Sequence, residues 1–390
     1  MTIFWVVLTA IVSIITVVSL ITLLLSHCAT TRHFRPSATP SMPDPVPRVS
    51  ILKPVEGAGE ETYEAFASFC RLDYPGQVEI LVGTIRRDDA IVPIVERLRQ
   101  NYPGQDIRLL FVEPRGANRK ASIMEVLWRE AKGDCLFFSD ADVVVSQDYL
   151  QRLVPLLTQP GVGCLTCLPR GIDARTLGDK LIALHYDFNY LPQWMLAIHT
   201  TGIKWAIGHT MAVRKDVLRR LDGFKGWLNH LADDYELGYR VAQLGLKVMV
   251  PPYLIDCYMP RESIWAAFRR LQRWKRTMRR ARGAAFLGSS LTYPVFWSAL
   301  LVVLQPFAWW SWAALGCTLT IRLLLANWLQ SHVRLPAWKE SWRLLPMVDL
   351  IEGVTFVGAY TGNTIYWAGR RYVLAPDGTL TSLTKGSKHG

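Results

Sequence analysis

From residue 3 to residue 25 the chain reads IFWVVLTAIVSIITVVSLITLLL, an apolar run without a charge. At about 1.5 Å per helical residue it is long enough to cross a bilayer. It is too long for the apolar core of a cleaved leader and lacks a basic start, so it predicts an uncleaved anchor. Arg32, His33 and Arg35 follow, then a stretch holding Pro36, Pro40, Pro43, Pro45 and Pro47 that regular structure cannot accommodate. Basic residues beside a span favour the cytoplasm, which puts the linker and the next domain there.

Downstream the pattern changes to short buried runs alternating with amphipathic stretches. Strands are predicted at 49–52, 78–82, 107–112, 135–139, 163–168 and 247–250, and helices at 60–69, 91–100, 121–131, 148–157 and 235–244. This alternation predicts an α/β domain with a mostly parallel sheet, whose ligands bind beyond the carboxyl ends of the strands. Past residue 284 the chain is apolar and Trp-rich again, at 291–305 and 307–329 around Pro306, with a weaker segment at 347–367 that carries Asp349 and Glu352. Arg370 and Arg371 favour the cytoplasm, so the first two segments are expected to span and the third to lie in the interface or re-enter. The expected organisation is an anchor (1–27), a linker (28–48), a cytoplasmic domain (49–284), membrane segments (285–372) and a tail (373–390). A multi-pass protein of the cell inner membrane is implied.

Half of the residues are hydrophobic and 15 are Trp, which excludes a disordered chain. A formal charge of +12 suits nucleic acid, a phosphorylated ligand or an anionic bilayer, without choosing among them. The seven cysteines are scattered; Cys164 and Cys167, the close pair, lack the second pair that a zinc site needs. Reduced structural cysteines and a cytosolic main domain follow.

Three polar clusters carry the candidate chemistry. The strand at 135–139 ends in Asp140-Ala141-Asp142. Residues two apart on extended backbone point the same way, so both carboxylates can meet one hard cation, Mg²⁺ or Mn²⁺, that carries a nucleotide diphosphate. The bland alternative is a turn with solvated acids. Asp233, Asp234 and Glu236 open a helix, where acids are favoured in any case; a carboxylate held there is also suited to take a proton from an attacking hydroxyl, and Asp234 is the candidate base. Residues 268–280 form a dense basic helix with Trp274 in its middle. Such a helix can lie on anionic lipid, while Arg270 and Arg273, three apart on one face, can hold a leaving diphosphate, with Trp274 beside the acceptor.

With these clusters in chain order, the sequence resembles the ceramide glucosyltransferase family of the GT-A fold, and is similar to the related bacterial hopanoid-pathway glycosyltransferases. The resemblance rests on Asp140 with Asp142, on Asp233-Asp234-Tyr235 and on Arg270-Leu271-Gln272-Arg273-Trp274. It is supported by Val49-Ser50-Ile51-Leu52-Lys53-Pro54, Leu72-Asp73-Tyr74-Pro75, Gly116-Ala117-Asn118-Arg119-Lys120, Thr201-Gly202-Ile203-Lys204 and Val213-Arg214-Lys215-Asp216-Val217-Leu218. One position departs from the pattern: Arg86 stands where the family carries its first acid, so Asp88 or Asp89 takes over that donor contact or the contact is made differently.

The resemblance implies a metal-dependent hexosyltransferase that moves a sugar, glucose first, from UDP to a lipid hydroxyl with inversion. Asp234 is the base, Asp142 with Asp140 holds the metal, and Lys53, Asp88, Asp89, Lys120, Asp140 and Arg273 face the donor. Arg270 and Trp274 lie at the acceptor. The partners implied are a UDP-sugar, a membrane lipid and the bilayer, with no nucleic acid. A ceramide-type acceptor is the first expectation and N-acetylglucosaminyl transfer to a hopanoid the alternative; diacylglycerol also presents a hydroxyl on an apolar body. A processive polysaccharide synthase needs a Gln-first tryptophan motif and many spans, and a non-catalytic lipid-binding adaptor leaves the acids without a purpose.

Overall fold

The computed structural model describes residues 2–36, 39–367 and 369–383. The chain divides into two compact units, Pro36–Pro169 with Ile203–Tyr258 and Tyr372–Gly390, and Met1–Arg35 with Arg170–Gly202 and Met259–Arg371.

The first unit is built on a seven-stranded sheet. Its order is Asp106–Phe111, Val78–Thr84, Val49–Pro54, Cys135–Ser139, Thr210–Arg214, Val162–Thr166, Lys247–Met249. Val49–Pro54 pairs in parallel with both neighbours, Val49 lying opposite Val78 and Cys135. These strands are buried on both faces and read as continuous apolar runs, which is why their pattern was legible. Thr210–Arg214 was not predicted; it runs antiparallel between Cys135–Ser139 and Val162–Thr166. Because it runs backwards, its start lies beside the end of Cys135–Ser139, with Ser139 opposite Thr210. Residues 208–210 are thereby delivered to the edge where Asp140 emerges.

Below the sheet, Leu52, Leu81, Leu136, Phe138, Met211 and Trp227 belong to one buried core. On the helix Asp233–Gln243, Gly238 lies against the backbone of Trp205 and Ala206, where a Cβ has no room. The segment that precedes Gly208 can therefore pack directly on the helix that carries the acids.

Part of the expected tail belongs to this unit. The strand Leu380–Ser382 pairs with Tyr372, Val373 and Leu374. The Leu380 N–H donates to the Asn229 carbonyl at 2.8 Å, and the Leu231 N–H donates to that of Gly378 at 3.1 Å. Residues 384–390 of the expected tail, with Ser37 and Ala38 of the linker, lie outside the described residues. Leu380→Pro removes a ladder donor and is expected to destabilise the unit by about 1–3 kcal/mol beyond Leu380→Ala, read from denaturant unfolding of the full chain.

The second unit is helical. Ile3–His33 and Trp309–His332 are long and apolar enough to cross a membrane. At the expected span 291–305 the helix Pro294–Leu304 has only 11 residues and meets Ile264–Thr292 at a 73° bend, so the segment has the form of a broken span or a re-entrant loop. The segment at 347–367 is a 14-residue helix, Leu345–Gly358, followed by the strand Thr364–Trp367.

Two acids of this unit, Asp349 and Glu352, are buried and ion-paired, as charges away from water need to be. Arg322 bonds both oxygens of Asp349, at 2.8 and 3.0 Å, and the Asn189 side chain at 2.8 Å. Glu352 takes His185 at 2.8 Å and Lys275 at 2.5 Å. Residues 170–202, expected within the α/β domain, fold here as Leu177–His185 and Leu191–Thr201 around a π-helical turn, Tyr186–Tyr190. Buried aromatic and apolar residues on these helices suit a helical unit as well as a sheet, so the pattern alone did not separate them.

Candidate active site

Asp140 leaves the sheet directly after Cys135–Ser139, and its backbone N–H donates to the His209 carbonyl at 3.1 Å. The neighbouring strand contributes Lys53, whose ammonium donates to the Asp140 carbonyl at 2.9 Å and to Ser139 Oγ at 3.2 Å. Lys53 is fully buried, with its ammonium 3.7 Å from the centre of the Phe69 ring. Burial pushes its pKa down to about 7, against the pull of Asp142 and Asp140. Lys53 thus holds the turn from beneath. Asp142 is tied through its carbonyl, which accepts from the Tyr258 N–H at 3.0 Å.

A second element meets this turn. Asn118 caps the helix Arg119–Glu130, accepting from the Ala121 N–H, so Lys120 lies in the first helical turn. The Lys120 ammonium pairs with Asp140 Oδ1 at 2.5 Å and donates to the Gly208 carbonyl at 3.1 Å. Burial alone would lower its pKa, but Asp140, Asp233 and Asp234 together hold it above its ordinary value.

The third element is the start of Asp233–Gln243. Asn118 Nδ2 donates to Asp233 Oδ1 at 3.1 Å, fixing the acid against the neighbouring helix start. Asp234 Oδ1 accepts the Tyr235 N–H at 2.8 Å, and the Gly208 N–H also stabilises its charged form. Burial and the adjacent Asp233 nonetheless push the Asp234 pKa up to about 6, with Lys120 opposing them. Asp233 is likewise raised, first by burial. A carboxylate with such a pKa is charged at neutral pH yet accepts a proton more readily than an ordinary Asp, as a general base must.

The structure therefore brings Lys53, Lys120, Asp140 and Asp234 together and adds Asp233, Asn118 and Gly208. Asn118 stood in the motif but carried no visible role, because its partner is 115 residues away. Asp88 and Asp89 follow the adjacent strand and are bonded locally. Asp88 takes two hydrogen bonds from Arg86, at 2.9 and 2.8 Å, so the departing Arg is matched by an acid. Asp89 accepts from the Gly57 and Ile91 N–H groups, both at 3.0 Å, and pins the loop after the first strand.

No group of three or more His, Cys, Asp or Glu able to hold a metal occurs among the described residues. Asp140 and Asp142 still fit a hard divalent cation, since Mg²⁺ typically takes one or two carboxylates and completes its shell with phosphate oxygens and water. The ammonium already seated on Asp140 shows that this position attracts positive charge.

The helix Ile264–Arg282, in the helical unit, carries the remaining candidates. Arg270 pairs with Glu262 at 3.0 Å. Trp274 stacks on His185 and Tyr186, with centroids 5.8 Å apart in both pairs, and Arg273 lies 6.0 Å from the Trp274 ring centre.

The model of the family described as "Glycosyl transferase family 21" matches residues 10–380. The chain belongs to this family. Ceramide glucosyltransferase 1 of Caenorhabditis elegans is 22% identical over 235 residues, 60% of this chain and 50% of the relative. Beta-monoglucosyldiacylglycerol synthase of Synechocystis is 26% identical over 329 residues, 82% of this family 21 chain and 63% of the relative. The chain thus spans between half and two thirds of the length of these two relatives. The solved mannosyltransferase PcManGT of Pyrobaculum calidifontis, in complex with GDP-Man and Mn2+, superposes with a TM-score of 0.56 at 20% identity, over 90% of this chain and 99% of that one. That likeness is one of fold, and with the family it makes the α/β unit of this family 21 member a GT-A fold.

Proposed function

We propose that this chain is an inverting glycosyltransferase that moves a hexose, glucose first, from a UDP-sugar to the hydroxyl of a membrane lipid. The observation that carries the reading is Asp234: a carboxylate with raised proton affinity, fixed at a helix start in the same cluster as the Lys120–Asp140 pair. A ceramide-type acceptor comes first. The match to a diacylglycerol glucoside synthase over 82% of this chain supports diacylglycerol as the second. Two helices long and apolar enough to cross a bilayer support a membrane enzyme, and a lipid acceptor presents its hydroxyl at the bilayer surface. The cytoplasmic face of the inner membrane is proposed from Arg32 and Arg35 after the first span.

In the proposed reaction, the lipid hydroxyl oxygen attacks the anomeric carbon while Asp234 takes its proton. The bond from that carbon to the diphosphate breaks, and UDP leaves with the electron pair. Asp142 and Asp140 would hold the divalent cation, which supplies charge neutralisation for the leaving diphosphate. Lys120 keeps Asp140 oriented, and Lys53 keeps the turn in place. Arg273 is proposed as a further cation for the diphosphate, and Arg270 and Trp274 as acceptor residues, on the motif they form.

Incubating membranes that contain the protein with UDP-glucose and each lipid tests this reading, with glucolipid as the expected product. Transfer that survives complete chelation contradicts the metal assignment. Lys120→Met removes the cation that favours charged Asp234. It is therefore expected to move the acidic limb of the rate profile upward by about one pH unit, as measured by kcat against pH.

A further inference from the structure

Within the helical unit, a cavity of about 320 Å³ opens between the first turns of Leu177–His185 and residues 339–344. Lys180, Lys339 and Arg343 line it, with Glu340 as its one acid, beside Leu177 and Trp342. We propose that this cavity binds the phosphodiester headgroup of an anionic membrane phospholipid.

Charge gives the first argument. The deeply buried cations of this unit have acids, Lys275 with Glu352 and Arg322 with Asp349. None of the three cations in the cavity has a carboxylate ion pair among the described residues, so with Glu340 the lining keeps a net positive charge that complements an anion. Two lysines and an arginine offer several N–H donors to phosphate oxygens in one place.

Position gives the second. The span Trp309–His332 ends shortly before the cavity wall, so the cavity follows a membrane exit. Trp338 and Trp342 stand together there with ring centroids 6.3 Å apart, and Trp342 is exposed. The Arg343 guanidinium lies 5.0 Å from the Trp342 ring centre, joining the basic group to an aromatic of the kind that anchors at headgroup level. Exposed Leu177 adds an apolar contact for the start of an acyl chain. A free phosphate shares the charge chemistry but uses neither Trp342 nor Leu177, and a neutral lipid alcohol uses none of the cations.

The test is thermal unfolding of the detergent-solubilised full chain with added phosphatidylglycerol, phosphatidylcholine, diacylglycerol or inorganic phosphate. Phosphatidylglycerol is expected to raise Tm by roughly 2–4 °C at saturating concentration, the others by less than a quarter of that. The rise is expected to disappear in Lys180→Gln/Lys339→Gln/Arg343→Gln and to fall with added salt. Glu340→Gln leaves every cation in place and removes the opposing charge, so its midpoint for phosphatidylglycerol is expected to drop about threefold; it also keeps the test open if the triple variant does not fold. Equal stabilisation by phosphatidylcholine or diacylglycerol, stabilisation by inorganic phosphate alone, or an undiminished rise in the folded triple variant overturns the proposal.

Discussion

Asp234→Asn is expected to lower sugar transfer by about 10²–10⁴-fold while the chain still folds and binds its donor. The substitution keeps the shape of the side chain and its place beside Tyr235, and removes the negative charge and with it the capacity to accept a proton. The loss belongs in kcat, with the KM for the nucleotide sugar little changed. Because the base works as the carboxylate, activity in the unsubstituted protein rises with pH through about 6, the value to which burial and Asp233 push Asp234. Asp233→Asn takes away the neighbouring charge and is expected to move that limb to lower pH. The stability effect has the opposite sign to the activity effect. Asp234 holds its proton more tightly in the folded chain than at its ordinary value of 3.8, so stability is lost as pH rises from there through about 6. Asp234→Asn is thus expected to raise Tm at pH 7, which separates a missing base from a misfolded protein. Unchanged transfer by the variant sinks the assignment of the base.

Asp142→Ala is expected to reduce transfer by about 10²–10³-fold, and chelation of the unsubstituted protein to do at least as much. The protein offers few ligands, since no cluster of three metal-binding side chains occurs among the described residues. The cation would depend on the diphosphate for much of its shell, so losing one of two carboxylates removes a large share of its hold. Excess Mn²⁺ is expected to restore part of the activity of Asp142→Ala and none of that of Asp234→Asn. This pattern, measured as rate against metal concentration, distinguishes a metal ligand from a base. Equal rescue of both variants contradicts the division of roles.

What the sequence showed and what it hid follow from how local each signal is. Residues 135–139 form an apolar run that ends in two acids, so both the strand and the candidate ligands at its end were legible within eight residues. The buried parallel strands around it were equally plain. Thr210–Arg214 was not legible, because a central strand only five residues long, with Thr at one end and Arg at the other, lacks a distinctive period. With it were hidden Gly208 and His209, whose backbone groups meet Lys120 and Asp140.

Other features depend on contacts that no local pattern records. Asp233 and Asp234 were visible as acids at a helix start, but the rise in the Asp234 pKa comes from burial, which only the fold supplies. Asn118 joins the two helix starts across the chain. Asp349 and Glu352 weakened the reading of the third apolar segment; their partners Arg322, His185 and Lys275 lie elsewhere in sequence and explain why an apolar helix tolerates them. The short strand Leu380–Ser382 was read as tail because its partners, at 229 and 372–374, are supplied by the fold.

The central claim, direct displacement with Asp234 as base, is tested most directly by the anomeric configuration of the lipid product formed from a UDP-α-sugar, read from the proton coupling at the anomeric carbon by NMR. A β-linked glycolipid is the predicted result, and an α-linked product contradicts the account.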